Sequence, residues 1–151
     1  MNDRDRMNAW RIAHYAQRFM GVHYNYGTTE TRGDDPVGGF DCSGLVSECL
    51  RSIGLIGNSE RLSAQMFYDL FSQEDEIPVS IEIGCLVFYG KSKTRISHIA
   101  IAINKDQVIE AGGGSSSTHE EHEAAVRNAF VRIRPIHYRS DFVCAIDIFK
   151  K

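Results

Sequence analysis

The stretch GGFDCSGLVSECL, residues 38–50, determines how the rest of the chain is interpreted. It changes from a glycine-rich loop to an apolar run with helical spacing, and Asp41, a favoured N-cap residue, stands at the change. Cys42 is therefore predicted at the first helical position, where free backbone N–H groups and the helix dipole favour an anion. A thiolate is an anion, so this position suits a reactive cysteine. The alternative is a buried, inert cysteine.

The segments around this stretch predict an α+β domain. Apolar residues at helical spacing indicate three helices, at residues 3–20, 42–53 and 63–71. In the first helix the recurring residues are Met7, Trp10, Ala13, Ala16 and Met20. Beyond Pro78, runs rich in β-branched and aromatic residues predict strands, at residues 84–90, 98–103, 107–112, 130–136 and 142–149. We therefore expect residues 1–151 to form one domain, with the helices packed on a mostly antiparallel sheet of five to six strands.

The composition argues against several classes of partner. The net charge is −3 and no cluster of Lys and Arg stands out, so we expect neither nucleic-acid binding nor a polybasic membrane patch. No apolar run is long enough for a transmembrane helix. The charged start MNDRDRMNAW lacks the apolar core of a secretory signal, which predicts synthesis in the cytoplasm.

The four cysteines show the spacing of neither a zinc site nor a disulfide framework. Cys49, Cys85 and Cys144 are expected to be small buried hydrophobic residues. The HEEHE segment at 119–123 contains an HxxH pattern, but a solvated charge run is the better interpretation. The RGDD segment at 32–35 is interpreted as a turn. We expect no metal and no cofactor.

A thiolate nucleophile needs a base, and histidine is the usual one. Of six histidines, His98 is the best placed, because it begins the predicted strand HIAIAI and shares one face with Ala100 and Ala102. A face of alanines would let the Cys42 helix lie close to the sheet and bring the two side chains together. The alternative is a histidine at a strand end that bonds only to backbone. His14, His23 and His137 are expected at the surface.

A third group should orient the imidazole, and Glu110 is the candidate. If the turn before it has an odd number of residues, such as Asn104, Lys105 and Asp106, Glu110 shares the face of His98 as a cross-strand or diagonal neighbour. A turn of even length would put Glu110 on the opposite face. The sequence leaves both arrangements open.

Six stretches together resemble the NlpC/P60 family of papain-like cysteine peptidases, in the order of that family. They are YNYG, FDCSGLV, RLSAQM, IGCLVFYG, ISHIAIAI and VIEAGGG, and they extend from about Phe19 to Gly114. One such stretch alone would be weak support, whereas six in order are specific. The resemblance implies a papain-like α+β fold.

The resemblance also implies roles for individual residues. Cys42 would be the nucleophile, His98 the base and Glu110 the orienting residue. Tyr24 would supply a hydroxyl that stabilises the oxyanion together with the backbone N–H of Cys42. The other residues assigned to oxyanion or substrate binding are Asp41, Ser43 and Ser97.

The chain departs from the family pattern at two positions. The third catalytic position is usually His, sometimes Asn or Gln, but here it is Glu110. A carboxylate can still orient an imidazole, and it would raise the pKa of His98 and favour a thiolate–imidazolium pair. The strand before the histidine commonly begins Gly-Asp-Leu, but here it has Cys85 in place of Asp, for which we expect only a structural effect.

Members of the family typically hydrolyse stem-peptide bonds of bacterial peptidoglycan, often beside D-glutamate. The resemblance therefore implies a peptidoglycan endopeptidase that cuts the D-glutamyl–diamino acid bond by a Cys-His-Glu mechanism. Alternatives are an N-acetylmuramoyl-L-alanine amidase, an acyl transferase on the same fold, or a non-catalytic cell-wall-binding module. We expect a monomer that reaches the wall through other machinery, as a phage endolysin, a phage tail peptidase or a secretion-system effector does.

Overall fold

The structure is a computed structural model that describes residues 2–24, 40–57, 62–72, 80–113, 127 and 129–150. The helices are α1 (Asp3–Gln17), α2 (Cys42–Ser52) and α3 (Ala64–Phe71). The strands are β1 (Leu86–Gly90), β2 (Ile96–Ala102), β3 (Gln107–Gly112), β4 (Phe130–Pro135) and β5 (Phe142–Ile146). A 3₁₀ turn, Ile136–Tyr138, joins β4 to β5. Within the described ranges, no helix is both long and apolar enough to cross a membrane.

Helices α1, α2 and α3 each begin at a polar N-cap side chain. Asn2 Oδ1 accepts from the Asp5 N–H at 2.8 Å, and Ser63 Oγ accepts from the Met66 N–H at 3.1 Å. Asp41 Oδ1 accepts from the Gly44 N–H at 2.6 Å, so α2 begins at Cys42 as predicted. Each cap satisfies one of the N–H groups that a helix start leaves without a partner.

Strands β1 to β5 form one sheet in the order β4-β3-β2-β1-β5, and every neighbouring pair is antiparallel. The helices pack on this sheet, which confirms the predicted α+β class. Short turns connect β1 to β2 and β2 to β3, as expected for antiparallel neighbours.

Different groups of residues pack on the two faces of the sheet. Ile99 and Ile101 of β2 belong to the main core with Leu45 and Leu50 of α2. The opposite face forms a second core, made of Cys85, Val87, Tyr89, Ala100, Ala102, Val108, Ile136 and Ala145. The prediction that α2 lies on the alanine face is therefore wrong. Helices bury more apolar surface against isoleucines, and the alanines leave room for Tyr89 and the 3₁₀ turn.

The buried face of α1 also differs from the predicted one. Met7, Trp10 and Met20 are 50%, 51% and 46% exposed, whereas the buried residues of α1 are Ala9, Ile12, Ala13 and Ala16. These mostly small side chains let α1 approach the chain just before β1. Gly84 lies there with φ +89°, and a Cβ at this position would come within 2.7 Å of the Ala9 Cβ.

Candidate active site

Cys42 occupies the N-terminus of α2, and its side chain is half-buried. The first turn is fixed by Asp41, which is 7% exposed and also accepts from Ser43 Oγ at 3.3 Å. Burial raises the pKa of the Cys49 thiol, and it raises that of Cys85 to about 11. The Cys42 thiol is therefore both partly accessible to solvent and at the start of a helix, whereas the thiols of Cys49 and Cys85 are buried.

His98 brings Cys42 and Glu110 together. It is 5% exposed on β2, and its side chain interacts with the Cys42 side chain. On its other side, His98 Nε2 is 3.3 Å from Glu110 Oε1, an ion-pair distance without the alignment of a full hydrogen bond. Because Nε2 faces Glu110, Nδ1 is the ring nitrogen left for the sulfur. The three residues form a continuous line.

A three-residue turn puts Glu110 on the face of His98. Ala102 pairs with Val108, and the Ile103 N–H donates to the Gln107 carbonyl at 3.0 Å, so the turn consists of residues 104–106. Asn104 Oδ1 accepts the N–H groups of Asp106 and Gln107, both at 2.8 Å, and thereby stabilises the turn. Of the two arrangements that the sequence leaves open, the structure has the odd-length one.

The charged forms of His98 and Glu110 stabilise each other. Burial alone would lower the pKa of His98, but its interactions with the Cys42 and Glu110 side chains outweigh burial and raise that pKa to about 9. Burial likewise opposes ionisation of Glu110. The interaction with His98, followed by the Tyr138 hydroxyl and the charge of Arg132, outweighs burial and lowers the pKa of this carboxyl. An ionised Glu110 beside a protonated His98 is the favoured state.

Three neighbours of the site are not predicted from the sequence. Arg132 lies directly opposite Glu110 on β4, and Tyr138 approaches the same carboxylate from the 3₁₀ turn. Tyr89 packs its ring 5.5 Å from the His98 ring, and its hydroxyl donates to the Ile136 carbonyl at 2.7 Å. The alternation in FVRIRP could have indicated Arg132 once β3 and β4 were paired. Tyr138 belongs to no recognisable motif.

Three further residues were predicted to belong to the site. Tyr24 is buried and forms a parallel bridge with Phe40, two residues before Cys42. Ser43 is buried at the helix cap. Ser97 is exposed and lies where the pairing of β2 with β1 shifts register. The roles of these three residues in oxyanion or substrate binding stay predictions.

Two polar segments, HEEHE at 119–123 and RGDD at 32–35, lie outside the described residues. Among the residues that the structure describes, no group of three or more His, Cys, Asp or Glu side chains could hold a metal ion.

Similar folds occur among solved structures. The peptidoglycan hydrolase RipB from Mycobacterium tuberculosis superimposes with a TM-score of 0.71 at 20% identity, covering 100% of this chain and 69% of RipB. The NlpC/p60 domain of the peptidoglycan hydrolase SagA gives 0.60 at 25% identity, covering 91% of this chain and 97% of that domain. RipD from M. tuberculosis, described as a non-catalytic NlpC/p60 protein adapted to peptidoglycan binding, gives 0.63 at 18% identity, covering 92% and 95%. Other matched structures are longer, and the chain spans 40% to 47% of them.

No functionally curated protein sequence matches the chain significantly. The sequence model of the NlpC/P60 family matches residues 21–135, a span that contains Cys42, His98 and Glu110. This match covers well over half of the chain, and it agrees with the helices-on-sheet architecture of the NlpC/P60 structures above. The chain therefore belongs to the NlpC/P60 family.

Proposed function

We propose that this chain is a cysteine peptidase that hydrolyses stem peptides of bacterial peptidoglycan. The observation that carries the proposal is the line from the Cys42 thiol through the buried His98 to the buried Glu110. A nucleophile, a base and a group that orients the base are what covalent thiol catalysis requires. The family membership and the descriptions of RipB and SagA as peptidoglycan hydrolases support the choice of substrate.

Each member of the line has a defined part in the proposed reaction. The Cys42 thiolate attacks the peptide carbonyl carbon, and the His98 imidazolium gives its proton to the leaving amine as the C–N bond breaks. Water then attacks the thioester carbonyl carbon and gives a proton to His98. The C–S bond breaks, which releases the acid product and restores the thiolate–imidazolium pair. Glu110 stays ionised throughout, holds the ring and stabilises its cationic form.

Two groups near the start of α2 are proposed to stabilise the oxyanion. The backbone N–H of Cys42 belongs to the first turn, where N–H groups have no partner within the helix. Tyr24 is joined by a backbone bridge to Phe40, two residues before Cys42, so its side chain originates close to the nucleophile. Removing a donor of this kind typically costs about 10²–10³-fold in turnover.

A non-catalytic wall-binding module is the second candidate, because RipD has this fold and is described as non-catalytic. The contact between Cys42 and His98 favours an enzyme, since binding alone requires neither a nucleophile nor a base beside it. An amidase or an acyl transferase would use the same line of residues on a different bond.

Mass spectrometry of muropeptides tests which of these functions is present. Purified peptidoglycan is digested with the protein and with the same protein blocked by iodoacetamide. The proposal predicts fragments with a new free amine on the diamino acid and a new free carboxyl on D-glutamate, only with the unblocked protein. A new amine on L-alanine would indicate an amidase. Retention on peptidoglycan without any new fragment would indicate a binding module.

A further inference from the structure

We propose that Gly112 is a positioning residue: the absence of a side chain there forms the slot through which the Glu110 carboxylate reaches His98. The inference deepens the proposed function and rests on it, because it concerns the third member of the same site. Gly112 touches no reacting atom and acts only through Glu110.

The pairing of β2 with β3 explains why this slot is needed. Ala102 lies opposite Val108 and Ile101 opposite Ile109. Counting on from these two pairs in the same register brings His98 level with Gly112. Glu110 is then a diagonal neighbour of His98 on the same face. Diagonal pairs are about 7–8 Å apart at the backbone, a distance that a long side chain can span. To do so, Glu110 must bend along its own strand, toward the position of residue 112.

The observed side chain follows this path. If Gly112 carried a Cβ, the three nearest atoms would all belong to Glu110: Oε2, with which it would overlap, Cδ at 2.9 Å and Cγ at 3.7 Å. The other carboxylate oxygen, Oε1, is 3.3 Å from His98 Nε2. One oxygen therefore faces the imidazole while the other lies over the Gly112 backbone.

Backbone conformation gives no other reason for glycine at this position. Gly113 has φ +84°, which favours glycine, but Gly112 is not among the glycines with positive φ. An alanine at 112 would fit the strand backbone, and the atom that its Cβ would overlap is a carboxylate oxygen at the end of the Glu110 side chain. Glu110 is 1% exposed, so its carboxylate has little space into which it can move. We therefore expect Gly112→Ala to fold and to displace the carboxylate from His98.

A double-mutant cycle with two readouts tests this role. Wild type, Gly112→Ala, Glu110→Ala and the double variant are compared by kcat and KM on muropeptides. They are also compared by the pH dependence of Cys42 alkylation with iodoacetamide, resolved by peptide mass spectrometry. Gly112→Ala should lower kcat about 10- to 100-fold with little change in KM. It should also move the step in the alkylation profile that reports His98 protonation to lower pH.

The Glu110→Ala background decides the mechanism of the effect. There, Gly112→Ala should cause no further loss and no further shift, because no carboxylate remains to be displaced. Equal losses in both backgrounds, or no effect in the wild-type background, would overturn the inference. The inference would also be overturned if Gly112→Ala failed to fold in both backgrounds. If Gly112→Ala failed to fold only when Glu110 is present, that result would support the inference. Since alkylation needs no peptidoglycan, a wild-type protein that cuts nothing but shows the expected shifts would contradict only the proposed function.

Discussion

The protonation of His98 depends on opposing effects within the candidate site. The residue is buried, which disfavours its charged form, yet it has a sulfur on one side and a carboxylate on the other, and these raise its pKa to about 9. The protonated ring therefore persists well above the pH at which an ordinary histidine loses its proton. The single change from the usual family residue to Glu110 supplies the formal negative charge on one side.

The first prediction concerns the alkaline limb of activity. Because the pKa of His98 is raised, protonated His98 adds stability that is fully present below its ordinary pKa and is lost as pH rises through about 9. If the imidazolium is the active form, kcat/KM should fall over the same range near pH 9. Glu110→Gln keeps an acceptor but removes the charge, so its alkaline limb should lie at lower pH. A pH–rate profile with the same limb in both proteins would show that Glu110 does not act on His98.

Tyr24 provides a second prediction for a single residue. Its hydroxyl is proposed to act on charge that develops only in the transition state, so Tyr24→Phe should lower kcat about 10²–10³-fold and change KM little. Steady-state kinetics on a purified muropeptide measures both constants. A raised KM at unchanged kcat would mean that Tyr24 contacts the substrate without stabilising the oxyanion.

At the scale of elements, what could be predicted depended on how local the chemistry is. The start of α2 at Cys42 was predicted because an N-cap requires only Asp41 and the next three residues. The buried face of α1 was not predicted correctly. The sequence allows either Trp10 or Ala9 to face the core, and only the packing of neighbouring elements shows that Ala9 does. The prediction that α2 lies on the alanine face of β2 was wrong for the same reason. Which face of a strand is covered depends on residues far away in sequence.

The close approach of α1 to the chain before β1 leads to a stability prediction. A Cβ at Gly84 would overlap the backbone and the Cβ of Ala9, at 2.7 to 2.8 Å, and would also force an unfavourable positive φ. Gly84→Ala should therefore lower the free energy of unfolding by about 2–4 kcal/mol. Gly54→Ala is the matched control, since Gly54 has φ +76° and nothing within 4 Å.

Gly54→Ala should cost only the conformational strain, about 1–2 kcal/mol. Urea denaturation of both variants measures the two costs separately. Equal costs would mean that α1 does not approach Gly84 as closely as the structure shows.

At the scale of the whole molecule, the candidate site joins two layers of the fold. α2 packs on the isoleucine face of the sheet, while the chain neighbours of His98 on its own face belong to the second core. The first residue of α2 nevertheless contacts His98, which lies near the beginning of β2. The motifs predicted that Cys42, His98 and Glu110 meet. The face of Glu110 stayed open in the sequence, and only the structure shows that the turn has an odd number of residues. The contributions of Tyr138 and Arg132 required the three-dimensional arrangement of β4 and the 3₁₀ turn.

The most direct test is the release of muropeptides by Cys42→Ala compared with Cys49→Ala. Both substitutions remove a thiol from α2, but Cys42 is half-buried beside His98 and Cys49 is fully buried in the core. Mass spectrometry should detect no released stem-peptide fragments with Cys42→Ala, although its circular dichroism and thermal unfolding match those of the wild type. Cys49→Ala should keep most of the wild-type rate. Peptidoglycan hydrolysis that survives in Cys42→Ala would contradict the thiol mechanism.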